Sequence, residues 1–196
     1  MQKNQAALSM AMAMATAVLG LAAHTDALAT VQADLEYQSY NARAERGKSL
    51  FAALSAATPF HENGRVFIGH TSREIRWRLH WRDTGGGNCR IDDVRVTLHT
   101  TIVLPQLGGV DPDRQAEYTR FYTALRIHEN GHYQIEQKMA AALERELAAL
   151  PEASCAGIEA VANAKGNDIV REFDRKEVQY DAETDHGRTQ GAVLKN

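Results

Sequence analysis

Residues 73–104 read REIRWRLHWRDTGGGNCRIDDVRVTLHTTIVL, and the period of this stretch decides the fold. Ile75, Trp77, Leu79 and Trp81 alternate with Arg76, Arg78, His80 and Arg82, which gives a strand one apolar and one basic face. The DTGGGN segment at 83–88 is a glycine-rich turn, and beyond it Val94, Val96, Leu98, Thr100, Ile102 and Leu104 alternate again until Pro105. Two such runs about a turn predict an antiparallel hairpin. Upstream, VQADLEYQSY at 31–40 alternates more loosely and reads as a third strand. Residues 43–56 place Leu50, Phe51 and Leu54 at helical spacing before Pro59.

From Asp111 the period changes. Asp111-Pro112-Asp113 starts a helix, with an Asp cap, proline at the first helical position and a second acid in the first turn. The stripe then runs Phe121, Leu125, His128, His132, Ile135, Met139, Leu143 and Leu147, and stops at Leu150-Pro151. A second helical pattern passes through Ile158, Ala162, Ile169, Phe173 and Tyr180, with Gly187 and Gly191 beyond it. Strands first and helices later predict an α+β domain, a small antiparallel sheet followed by two long helices.

The chain has 196 residues, 44% of them apolar and 24% charged, which fits one globular domain and excludes a wholly disordered or collagen-like chain. Its net charge is −3 and no basic block stands out, so nothing points to nucleic acid. The N-terminus has Lys3, an uncharged stretch from Ala6 to Ala23 and a small-x-small site at Ala27-Leu28-Ala29. Those parts, in that order, predict a signal peptide over 1–29 and a single domain over 30–196. The mature chain is then expected in the periplasm or outside the cell, with no membrane span. Its two cysteines, Cys89 and Cys155, predict one disulfide. Closing a loop of about 65 residues contributes on the order of 4 kcal/mol.

Residues 128–132 are His-Glu-Asn-Gly-His. Helical residues four apart share a face, so His128 and His132 can hold one metal ion while Glu129, offset by about 100°, meets the water that the ion activates. Zinc accepts imidazole nitrogen readily, and a glutamate so placed serves as general base. Both histidines lie on the apolar stripe and therefore point inward. Gly131 costs a helix interior about 1 kcal/mol relative to alanine, for which a close backbone approach would compensate. A third ligand comes from the C-terminal segment, where His186, Asp181, Glu172 and Glu177 are candidates. Helix-length arithmetic for an antiparallel return slightly favours the two glutamates.

Taken together, the strand from Thr71 to Trp81, Cys89 after its glycine turn, the HENGH helix, Cys155 and the YDAETDHG end at 180–187 resemble a bacterial family of predicted secreted zinc-dependent proteases. That family falls within the wider zincin-like metallopeptidases, and the resemblance spans most of 31–191. It implies a zincin-like fold and places Tyr180, Asp181, Thr184, His186 and Gly187 in the site region. His186 thereby becomes the favoured third zinc ligand and Asp181 the reserve, with Tyr180 a candidate stabiliser of the transition state. An alternative has a glutamate complete the metal site while His186, held by Asp181, stabilises the transition state.

The expectation is a secreted or periplasmic zinc metallopeptidase acting on a peptide or protein substrate. A non-catalytic zinc-binding envelope protein and a zinc amidase acting on cell wall are the competing readings. When exported by a bacterial host, the chain should begin near Thr30. Intact mass measures this, and retention of residues 1–29 would contradict it.

Overall fold

The computed structural model describes residues 31–195, so the expected signal segment at 1–29 lies outside the described residues. Elements follow in the order β1 (Val31–Arg43), α1 (Leu50–Ala57), β2 (Phe60–Glu62), β3 (Arg65–Phe67), β4 (His70–Gly85), β5 (Asn88–Gly108), α2 (Pro112–Ala148), β6 (Ala153–Ser154) and α3 (Ile158–Thr184), closed by a short 3₁₀ turn at Arg188–Gln190. This is the expected α+β arrangement, one sheet covered by helices.

β4 and β5 form the antiparallel hairpin, with Arg73 opposite Thr100 and Trp77 opposite Val96. β1 lies on the other side of β5 and runs parallel to it, so the sheet is mixed and not antiparallel throughout. The reason is that β5 takes the centre. Its Val94, Val96, Leu98, Ile102 and Leu104 are all buried, and a strand so apolar on one face gains most when both edges are paired. The chain therefore crosses from β1 to β4 through α1 and the small β2–β3 hairpin, which leaves room for β5 between them. β1 also runs to Arg43, and α1 starts only at Leu50, where the Ser49 hydroxyl accepts from the Ala52 N–H at 3.2 Å.

α2 begins where Asp111 accepts from the Arg114 N–H at 3.1 Å, with Pro112 at its first position. Its 37 residues bridge two apolar clusters. Phe121 and Leu125 pack with Leu54, Ile68, Ile102 and Leu104, whereas Met139, Leu143 and Leu147 pack with Val94, Val96, Leu98 and α3. Between the clusters lies a polar belt, buried Thr100 on β5 and His128, Glu129 and Glu136 on α2. α3 returns antiparallel, seated on Trp77, whose indole N–H donates to Asn163 Oδ1 at 2.9 Å. No helix among the described residues is long and apolar enough to cross a membrane.

Cys89 and Cys155 form the disulfide, tying the start of β5 to the connection that launches α3. With the partners 66 positions apart in sequence, the Cys89→Ser/Cys155→Ser protein should lose about 4 kcal/mol of stability, read by urea denaturation. An unchanged midpoint would contradict the contribution.

Candidate metal centre

The spacing of four places His128 and His132 one above the other on α2, facing α3. Nδ1 of His128 donates to Gln190 Oε1 at 3.1 Å. Nδ1 of His132 faces the Glu177 carboxylate and donates to it. Each acceptor engages an Nδ1–H, so the Nε2 of each ring is left facing inward and is the atom that offers a lone pair when the ring is neutral. Those two Nε2 atoms lie 3.3 Å apart, and Asp181 Oδ1 lies 3.1 Å from one and 3.2 Å from the other.

Three acceptor atoms thus converge on one point. A tetrahedral ion bonded at about 2.0–2.1 Å separates its ligand atoms by about 3.3–3.4 Å, close to the edges of this triangle. Among the described residues, His128, His132 and Asp181 form a candidate metal-binding triad. Burial alone lowers a histidine pKa, but the hydrogen bonds and charges of Asp181 and Glu177 reverse this at His132 and push it up to about 10. Burial would raise the Asp181 carboxyl, yet its bonds to His128 and His132 hold it well below the usual range.

Glu129 is 4% exposed and is not one of the three ligands. Thr71 Oγ1 donates to its Oε2 at 2.7 Å, and a Cβ on Gly69 would fall 2.5 Å from its Oε1, so the start of β4 and the residue before it close over the carboxyl. Burial pushes its pKa up, against the Thr71 hydrogen bond and the two imidazoles, which lower it. Gly131 has the close approach anticipated for it. A Cβ there would stand 2.0 Å from the Tyr180 hydroxyl, which donates to the His128 carbonyl at 3.2 Å and accepts from Gln190 Nε2 at 3.0 Å. The Tyr180 ring stacks on His128, with centroids 5.1 Å apart, and meets His132 edge-on at 5.0 Å. Tyr180 braces both imidazoles, and its hydroxyl is engaged with the helix backbone.

The structure brings the reserve ligand Asp181, not His186, into the triangle. His186 stands outside it, its Nδ1 3.4 Å from Asp181 Oδ1 and its side chain 38% exposed, edge-on to Phe67. Glu177 sits behind His132 as its orienting partner. Glu172 pairs with Lys176 at the surface, away from the triad. Gln190, Thr71 and Gly69 carry no motif. Of these, only Thr71 is named by the sequence, as the start of the strand that carries the family resemblance.

The chain belongs to a family described as a bacterial protein of unknown function (DUF922), whose model matches residues 37–187. The match takes in the whole triad, Glu129 and His186, and ends before Gln190. No curated protein and no solved structure matches the chain. The family description carries no activity, so the likeness to zinc-dependent proteases remains a reading of the residues.

A metal must displace the His132 proton. With zinc as the probe at pH 7, binding should release about one proton per site, and affinity should rise about tenfold per pH unit between about pH 6.5 and 8. Calorimetric titration in two buffers of different ionisation enthalpy measures both. Zinc binding without proton release would mean that His132 is neutral in the metal-free protein.

Proposed function

We propose that this chain is a zinc-dependent peptidase that acts outside the cytoplasm. The carrying observation is Glu129, a buried carboxyl that ligates nothing yet adjoins the triad, where a purely structural ion would need no base. Three protein ligands fit a catalytic site, which keeps a position for water or substrate. Zinc bound there would supply a Lewis acid that brings the pKa of a coordinated water toward neutrality and polarises a carbonyl.

His128, His132 and Asp181 would hold the ion. Glu129 takes a proton from the water as its oxygen bonds to the carbonyl carbon, and burial raises its proton affinity toward that of a useful base. It then delivers the proton to the leaving nitrogen as the carbon–nitrogen bond breaks, so peptide and water become a carboxylic acid and an amine, and the acid's proton passes to the amine to leave carboxylate and ammonium. The negative charge that develops on the carbonyl oxygen needs a donor at the rim. Tyr180 is engaged elsewhere, whereas His186 sits beside Asp181 with its Nε2 free of hydrogen bonds to the described residues. Its backbone is left-handed, φ 50°, between Asp185 at φ 48° and Gly187 at φ 83°. Such a conformation costs a non-glycine residue on the order of 1 kcal/mol, and it turns the imidazole back toward the triad.

Metal analysis with cleavage of a broad peptide library tests the reading. Glu129→Gln should keep zinc and lose at least about 10²-fold in turnover. His186→Ala should bind zinc within about twofold of wild type and lose about 10²–10³-fold in turnover. An active Glu129→Gln protein would refute the mechanism, and loss of zinc from His186→Ala would restore His186 as a ligand. A zinc-loaded chain that cleaves no peptide would favour the non-catalytic or cell-wall reading.

A further inference from the structure

Glu136 continues the stripe of His128 and His132 by one more turn of α2 and is 2% exposed, but the proposed chemistry does not use it. A carboxylate buried in this way costs several kcal/mol unless its charge is met. Two neighbours meet it, and both come from one row of the inner sheet face, where Arg73 of β4 stands directly opposite Thr100 of β5. The Thr100 hydroxyl donates to Glu136 Oε2, and Arg73 Nη1 lies 3.9 Å from Oε1. The other terminal nitrogen of Arg73 binds Asp174 on α3. Asp174 precedes Glu177 by one turn and Asp181 by two.

We propose that Arg73 is a positioning residue for the metal triad, fixing the separation of α2 and α3 by engaging Glu136 and Asp174 at once. The inference rests on the metal reading above. Two triad atoms belong to α2 and one to α3, so a change in helix separation opens the triangle directly. α2 and α3 share no disulfide near the site; Cys155 joins β5 at the far end of α3. The guanidinium fork suits this work because it offers separate nitrogens to two acceptors, whereas an ammonium holds one geometry poorly in two directions.

A competing account has Arg73 merely offset the acids Asp174, Glu177, Asp181, Glu129 and Glu136. The two accounts differ in sign. Arg73→Met makes the region more negative, so an electrostatic role alone predicts tighter zinc binding, whereas the positioning role predicts weaker binding. Arg73→Met/Glu136→Met removes one charge of each sign, and replacing a buried pair by apolar side chains is often neutral for folding. Its zinc Kd should rise about 10–100-fold, the usual effect of losing an outer partner of a metal site. The visible bands of the cobalt-loaded protein should shift, while the melting temperature of the metal-free protein stays close to wild type. Arg73→Lys keeps the charge and should also weaken binding, which covers the case in which the double variant does not fold. A zinc Kd within about twofold of wild type in the folded double variant, or in Arg73→Lys, would overturn the inference. A wild-type chain that binds no zinc would instead defeat the metal reading itself, and this inference with it.

Discussion

Two hydrogen bonds at the outer nitrogens of two imidazoles set the terms for the rest of the molecule. Gln190 accepts a hydrogen bond from Nδ1 of His128 and Glu177 from Nδ1 of His132, so both Nε2 atoms turn toward Asp181 Oδ1. Three acceptors at 3.1–3.3 Å repel one another until a cation or a proton joins them. Holding them there requires α2 and α3 side by side with little slack, and that explains local choices otherwise hard to place. Gly131 admits the Tyr180 hydroxyl against α2, Tyr180 stacks on His128, and the chain beyond α3 bends back to deliver Gln190.

Much of this frame was legible because it rests on periodicity and spacing. The β4–β5 alternation, the Asp111 cap, the even cysteine count and the i, i+4 histidines each have one short-range physical meaning. What escaped was long-range. Alternation says which face of β1 is buried but nothing about its direction, so the parallel pairing with β5 had no sequence signal. The three-residue strands β2 and β3 are too short for a period to be seen. Helix-length arithmetic presumes that α3 lies level with α2, and the acids it favours are Glu172 and Glu177. α3 starts at Ile158, and His132 stands between Glu177 and Asp181, well past Glu172.

The third member of the candidate triad is the clearest case. His186 is the better ligand by residue type, and it lies within reach of Asp181. It follows the end of α3, however, in a left-handed turn, whereas Asp181 still belongs to the helix and inherits the helix's alignment with α2. A ligand on a rigid element is placed by packing already made, while a residue beyond the cap depends on the turn. Residue chemistry alone could not rank the two, because the ranking lies in the backbone that carries them.

Beneath α2 the inner face of the sheet interrupts its apolar pattern in two adjacent rows. One presents Thr71 to Glu129, and the next presents Arg73 and Thr100 to Glu136. In a core governed only by burial these positions would carry valine or leucine, as Leu98 and Val96 do in the next two rows. Polar rows there split the core into two clusters and weaken it. What they provide is control over carboxyls on a helix whose other face is already packed. Thr71 fixes the carboxyl beside the triad without giving it a counter-charge, so it keeps its affinity for a proton. The next row gives Glu136 a cation, and through that cation a link to α3. The sheet therefore meets two buried glutamates in different ways, one through a hydroxyl alone and one through a hydroxyl and a guanidinium that reaches on to α3.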